Sequence, residues 1–161
     1  MNKLKYLGYS VVFQEVPGEV TLAINISGCP HKCEGCHSKY LWEYDGNYLY
    51  DDLERLIKQY EGLITCVCFM GGDQNFEELS MAALIVKYHG LKTALYSGDS
   101  EINLNNNLAI GFDYIKIGPY NEKFGGLNSP TTNQRMYQYI DGVWKDITYK
   151  FWKEDKNNGK N

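Results

Sequence analysis

The sequence lacks any apolar run of the ~20 residues that a helix needs to span a bilayer. Residues 1–9 also lack the apolar core and the small-residue cleavage site of a signal peptide. The sequence also lacks a large excess of positive charge. Its formal net charge is −4, which provides no basic surface for nucleic acid or for an anionic membrane. We therefore expect a cytoplasmic protein that binds neither nucleic acid nor membrane.

Interdomain linkers and internal repeats are also missing. The chain has 161 residues, of which 43% are hydrophobic and 22% charged, and this length and composition suit one soluble domain with a hydrophobic core. We assign residues 1–152 to that domain. Residues 153–161, rich in Lys and Asn, are expected to form a flexible polar tail.

Short buried strands alternate with amphipathic helices along the sequence. Strands are predicted at 10–15, 20–26, 63–70, 92–96 and 113–117, helices at 51–61 and 76–89, and a terminal hairpin at 138–149. This alternation favours parallel β/α units with right-handed crossovers, but the units are too few to close an eight-stranded barrel. The predicted fold class is therefore α/β, in the form of a partial, open (β/α) barrel.

Three loops follow predicted core strands, at residues 27–36, 71–73 and 97–98. The carboxyl ends of parallel strands meet at one edge of a sheet, and functional loops concentrate there. The sequence thus predicts one shared site built from segments that lie far apart in the chain.

Cysteine is the chemically informative residue in the first of these loops. Three of the five cysteines, Cys29, Cys33 and Cys36, form a C-x3-C-x2-C motif. Clustered cysteines in a cytosolic chain indicate metal or redox chemistry, and thiolates prefer zinc, copper(I) or iron–sulfur clusters. Three thiolates can hold three irons of a 4Fe–4S cluster and leave the fourth iron open, and an open metal position is where chemistry takes place.

Other interpretations of the motif remain open. A structural zinc site needs four ligands, and His31 or His37 could supply the fourth. A disulfide between Cys33 and Cys36 is also possible, but it leaves Cys29 unexplained.

A ferredoxin-type carrier needs four cysteines per cluster, and Cys66 or Cys68 could complete the set. These two residues are two positions apart on a predicted strand, so their side chains point to the same face. Their neighbours are apolar and free cysteine is a common core residue, so we expect both thiols to be buried in the core.

Residues 27–37 read SGCPHKCEGCH, which resembles the signature of the radical S-adenosylmethionine superfamily. More narrowly, the segment is similar to the family of activating proteins of the anaerobic ribonucleoside-triphosphate reductase, whose loop reads close to TGC-x-HKC-x-GC. Gly35 precedes the third cysteine, as in those activators, where most of the superfamily has an aromatic residue.

Three later segments extend the resemblance in the family's order, so that it covers roughly residues 20–140. Residues 70–73 (MGGD) are similar to the GGD or GGE segment that binds the amino group of S-adenosylmethionine. Residues 96–98 (YSG) resemble a YTG strand end, and residues 129–135 (SPTTNQR) are similar to a late S-x-NQR segment. Gln74 departs from the family, which usually has Pro after the acidic residue.

The resemblance implies a glycyl-radical-generating activase with a 4Fe–4S cluster and S-adenosylmethionine as cofactors. It implies no catalytic residue beyond the cluster ligands, and its site residues are the metal ligands Cys29, Cys33 and Cys36 and the cofactor-binding residues Gly71, Gly72, Asp73, His37 and Ser97. The implied partners are a large glycyl-radical protein, the anaerobic ribonucleoside-triphosphate reductase, and a small electron donor such as flavodoxin or ferredoxin.

Alternatives of function and of residue role also remain open. The chain could activate another glycyl-radical enzyme of the pyruvate formate-lyase type, or act as a non-catalytic module that docks through a metal or cluster. Asp73 could cap the helix that begins near residue 76, and Lys116 could face the interior or solvent. Residues 133–135 could be solvated or have a local structural or partner-binding role.

Overall fold

The computed structural model describes residues 2–31, 38–102 and 111–152 of the protein. Its strands are β1 (Lys5–Val12), β2 (Thr21–Ile26), β3 (Asn47–Tyr48), β4 (Cys66–Met70), β5 (Lys92–Tyr96), β6 (Tyr114–Ile117), β7 (Arg135–Ile140) and β8 (Val143–Asp146). Its α-helices are α1 (Leu49–Gln59) and α2 (Phe76–Tyr88).

The strands form one mixed sheet in the order β3-β1-β2-β4-β5-β6-β7-β8. The four central strands β2, β4, β5 and β6 are parallel, and antiparallel strands flank them on both sides. Since parallel neighbours need long crossovers, α1 connects β2 to β4 and α2 connects β4 to β5. The predicted strands in this central region are confirmed, except that the strand predicted at 63–70 begins at Cys66 because residues 61–63 form the turn after α1, whereas the partial barrel stays a prediction.

The two faces of the sheet bury different sets of side chains. Val67 and Phe69 pack with Leu residues of α1 and α2 in the larger core. Cys66 and Cys68 point to the opposite face, where they pack with Tyr114. This alternation follows from the two-residue period of a strand, and it confirms that both thiols are buried in the core.

The sequence of α1 explains where this helix lies. Its buried residues recur on one side, facing the sheet, and they are Leu49, Leu53, Leu56 and Ile57. Asp51 and Asp52 occupy the first turn, where negative charge is favourable at a helix N-terminus. The helix begins two residues before the predicted start at 51.

The start of α2 corrects the capping role considered for Asp73. The N-cap is Asn75, whose side-chain oxygen accepts a hydrogen bond from the backbone N–H of Glu78 at 3.2 Å. Asp73 lies in a short 3-10 turn before the helix, and its carboxylate is engaged elsewhere. None of the helices in the described ranges is both long and apolar enough to cross a membrane.

The outer strands differ in extent from the prediction. The first strand was predicted at 10–15, but β1 runs from Lys5 to Val12 and pairs with the two-residue edge strand β3. The terminal hairpin is confirmed at Asp141 and Gly142, both with positive φ (50° and 81°), as a tight two-residue turn requires. Its first strand begins at Arg135 because that residue already pairs with Ile117 of β6.

Leu56→Ala is expected to lower the free energy of unfolding by about 2–5 kcal/mol, because Leu56 is fully buried between α1 and the sheet and its loss leaves a cavity. Leu63→Ala is the matched control, since Leu63 is 68% exposed, and it should change stability by less than about 0.5 kcal/mol. Urea denaturation of the two variants checks the difference, and equal losses would contradict the packing described here.

Candidate functional site

The carboxyl ends of β2, β4 and β5 carry the candidate site. The loops that follow these strands begin at residues 27, 71 and 97 and lie at the same edge of the sheet, because the three strands are parallel and paired in register. The prediction that these loops meet is confirmed by direct contacts between their side chains.

The carboxylate of Asp73 is the centre of these contacts. Its Oδ2 lies 2.8 Å from Nε2 of His31 and accepts a hydrogen bond from the hydroxyl of Ser97 at 2.7 Å. The Asp73 side chain is only 5% exposed, and Ser97 is buried. Residues from the loops after β2 and β5 therefore converge on one nearly buried carboxylate from the loop after β4.

A second carboxylate, that of Asp99, lies beside this group. Its Oδ1 is 3.6 Å from Nε2 of His31, and its backbone N–H donates to the Ser97 hydroxyl at 3.0 Å. Burial is the main cause that raises the pKa of Asp99, and the charge of Asp73 raises it further. The nearby His31 lowers the same pKa. Two carboxylates with oxygens within 4.8 Å of one another favour the approach of a positively charged group.

Two glycines shape the loop after β4. Gly71 and Gly72 have φ of 106° and 107°, a conformation that side chains disfavour. A Cβ on Gly72 would lie 3.0 Å from Leu79, and the Gly71 N–H donates to the carbonyl of Tyr96 at 2.9 Å. A side chain at Gly72 would therefore be strained by the backbone conformation and would also crowd Leu79, so this turn requires glycine.

Gly98 makes room for the histidine at this edge. A Cβ on Gly98 would lie 2.5 Å from the ring of His31, so any side chain there would push the imidazole from its place. Sequence reasoning considered His31 only as a zinc ligand and did not single out Asp99. The signal that could have found them was their position, since they lie in the loops that follow β2 and β5.

Cys29 lies just beyond β2 at the same edge. Its backbone N–H donates to the carbonyl of Leu41 at 2.9 Å, and its thiol is half-buried and free of any disulfide. A partly accessible soft thiol on an anchored backbone fits an iron ligand. The other predicted residues of this loop, Cys33, Cys36 and His37, lie outside the described residues.

The thiols of Cys66 and Cys68 have a different character. Burial raises the pKa of Cys66 to about 12 and raises that of Cys68 as well. Thiols that do not ionise are poor metal ligands, because the thiolate is the ligand form. Their burial on the sheet face argues against a fourth cluster cysteine from this pair.

In the cluster-free chain at pH 8, alkylation is expected to label Cys29 but to leave Cys66 and Cys68 unlabelled until the chain is unfolded. Peptide mass spectrometry checks this result, and early labelling of Cys66 would contradict it.

The raised pKa of Cys66 also makes the stability of the chain depend on pH, because the folded chain holds the Cys66 proton more tightly than the unfolded chain. The stability contributed by the protonated thiol is therefore full below pH 9.0 and declines as the pH rises toward 12.

Lys116 faces the interior of the molecule. Its Nζ donates to the carbonyls of Ser97 at 3.1 Å and Gly118 at 2.8 Å, and the residue is 7% exposed. The Gln134 amide donates to the same Gly118 carbonyl at 3.3 Å, and Asn133 donates to the Pro119 carbonyl at 3.1 Å. Gln134 and Asn133 thus have a local structural role that supports the end of β6.

Comparison with known proteins finds a family model and a relative that match this chain. The model of the 4Fe-4S single cluster domain family matches residues 16–107, more than half of the chain. The anaerobic ribonucleoside-triphosphate reductase-activating protein of Enterobacteria phage T4 is 29% identical over 157 residues, covering 85% of this chain and 95% of that protein. The resemblance to this group of activating proteins is therefore confirmed. No solved structure matches the chain.

Proposed function

Because the chain belongs to the 4Fe-4S single cluster domain family, we propose that it is a cytoplasmic activase that cleaves S-adenosylmethionine and places a glycyl radical on an anaerobic ribonucleoside-triphosphate reductase. The name of the phage relative supports the choice of reductase as partner. We also propose that the eight-stranded sheet is the partial, open (β/α) barrel typical of radical S-adenosylmethionine enzymes.

The observation that carries the proposal is the convergence on Asp73. His31, from the cysteine loop, and Ser97, from the end of β5, both contact its carboxylate. This contact brings the cysteine loop next to the GGD strand end. An enzyme that binds S-adenosylmethionine at a cluster needs the two segments in this proximity.

The residues present fit both cofactors. Cys29 is a free thiol at the site edge, and we propose that it holds the cluster together with Cys33 and Cys36. Gly71 and Gly72, whose positive φ shapes the turn that carries Asp73, are proposed to contact the methionine moiety. When bound, the cluster supplies one-electron cleavage of the sulfonium of S-adenosylmethionine into methionine and a 5′-deoxyadenosyl radical.

Asp73 is placed to bind the amino group of S-adenosylmethionine. A carboxylate offers about four lone-pair sites, and His31 and Ser97 occupy two of them, so an ammonium group can still be accepted. The adjacent carboxylate of Asp99 adds to the negative potential. The Ser97 hydroxyl keeps the Asp73 carboxylate oriented toward the strand ends.

The proposed activity ends on the partner protein. With both cofactors bound, the site would supply removal of a hydrogen atom from the α-carbon of one partner glycine, which would leave 5′-deoxyadenosine and a glycyl radical. The electron for the initial cleavage comes from a small donor such as flavodoxin or ferredoxin. The site lies at an edge of the sheet, where a loop of a large partner can reach it.

The test is anaerobic reconstitution with iron and sulfide, followed by reduction in the presence of S-adenosylmethionine and the reductase. We expect 5′-deoxyadenosine by chromatography and a glycyl-radical signal by electron paramagnetic resonance. If S-adenosylmethionine is cleaved and the glycyl radical forms on a partner of the pyruvate formate-lyase type but not on the reductase, the chain activates that class of enzyme instead. Cluster incorporation without any cleavage would instead favour a docking or electron-carrying module.

A further inference from the structure

The side chain of Gln74 spans two of the loops that form the site. It begins in the loop after β4, and its Nε2 donates to the backbone carbonyl of Ser27 in the loop after β2 at 2.9 Å. The family that the sequence resembles usually has Pro at this position, and Pro carries no side-chain donor. The contact is therefore a feature of this chain's own sequence.

The described part of the cysteine loop, residues 27–31, is held at two points by consecutive residues. Asp73 contacts His31 at one end, and Gln74 contacts Ser27 at the other. Since residues 73 and 74 share one 3-10 turn, a shift of this turn moves both contacts together. The loop after β4 therefore helps to position Cys29, which lies between the two contacts and whose backbone N–H is bonded to Leu41.

A cavity of about 270 Å³ borders one side of the loop, lined by Asn2, Lys3, Gly28, Tyr44 and Gln74. Hydrogen bonds hold the loop beside this cavity, since the backbone N–H groups of Gly28 and Cys29 donate to the carbonyls of Glu43 and Leu41. The Gln74 amide adds a bond from the opposite side.

The two ends of the Gln74 amide are used unequally. Its Oε1 is buried and has no hydrogen-bond partner among the residues that the structure describes. The Nε2 bond to Ser27 is accordingly the contact that orients the side chain. Replacing the NH₂ by oxygen would set a negative charge against the Ser27 carbonyl, which reverses the interaction.

We propose that Gln74 is a positioning residue that ties the cysteine loop to the strand-end loop, so that cluster and S-adenosylmethionine are held in fixed relation. This inference rests on the proposed function for its consequence in catalysis, but the tie itself exists in the cluster-free chain. The two can therefore be tested separately.

The first experiment measures amide hydrogen exchange in the cluster-free full chain. In Gln74→Leu, the Gly28 and Cys29 amides are expected to exchange about 3- to 10-fold faster than in the parent, as the loss of one net hydrogen bond implies. Gln14→Leu, at an exposed position, is the matched control and should leave these amides unchanged. Unchanged exchange in Gln74→Leu would overturn the proposal, whether or not the chain proves to be an activase.

The second experiment uses the reconstituted protein and the isosteric Gln74→Glu variant, which also serves if Gln74→Leu does not fold. We expect its cluster to be lost to a chelator about 3- to 10-fold faster. In this variant, a higher concentration of S-adenosylmethionine than in the parent should be needed to change the electron paramagnetic resonance spectrum of the cluster. If the variant loses its cluster at the parent's rate and needs no more S-adenosylmethionine than the parent, the positioning role is contradicted. If the parent itself shows no spectral change with S-adenosylmethionine, the proposed function is contradicted instead.

Discussion

Cys29→Ala is expected to yield a protein that retains no stable 4Fe–4S cluster and produces no detectable 5′-deoxyadenosine. The thiol of Cys29 is free, partly accessible and placed at the carboxyl end of β2. Loss of an outer-shell partner alone costs about 10–100-fold in metal affinity, so loss of a ligand thiolate should cost more. Iron and sulfide content and visible absorbance after anaerobic reconstitution check this result.

Cys68→Ala is the matched control for that experiment. Cys68 is fully buried on the sheet face, its pKa is raised by burial, and its side chain packs in the smaller core. We expect normal iron content and a modest loss of stability. The opposite pattern, with the cluster lost in Cys68→Ala and kept in Cys29→Ala, would support a ferredoxin-type ligand set and contradict the open-iron interpretation.

Asp73→Asn is expected to weaken the binding of S-adenosylmethionine about 10- to 100-fold while leaving the cluster in place. The substitution preserves the size of the side chain but removes the charge that would pair with the ligand's ammonium group, and a hydrogen bond to a charged group contributes about 1.5–3 kcal/mol. Equilibrium binding to the reconstituted protein, followed by the spectral change of the cluster, measures the effect.

Asp141→Asn controls for the loss of one negative charge. Asp141 lies in the β7–β8 turn with φ of 50°, a conformation that Asn adopts as readily, so the substitution should not disturb the fold. The affinity of the Asp141→Asn variant for S-adenosylmethionine should equal that of the parent. An Asp73→Asn variant with parent-like affinity would show that the ammonium group is bound elsewhere.

The central part of the fold could be predicted from the sequence because its strands are short apolar runs between turn residues. The strand at 92–96 has the predicted bounds, and α2 ends one residue before the prediction. The outer strand β1 was placed five residues too late, because its half-exposed, tyrosine-rich start carries little of the hydrophobic pattern that marks a buried strand.

The site was predictable in its motifs but not in its contacts. The carboxyl-end positions of Cys29, Gly72 and Ser97 followed from their places after core strands. The contact of His31 with Asp73 was not predictable, because a pattern along the chain reports burial and turns, whereas loop side chains meet through three-dimensional proximity. The position of Gln74 in the sequence likewise did not predict its hydrogen bond to the Ser27 carbonyl.

The parallel arrangement of β2, β4 and β5 also has a consequence for the order in which the molecule assembles. His31, Asp73 and Ser97 come together only after both helical crossovers are complete, since parallel strands cannot pair through a tight turn. Contacts between such distant segments form slowly compared with local ones. The strand-end carboxylate therefore gains its neighbours only once the sheet has formed, and maturation of the site follows folding of the sheet.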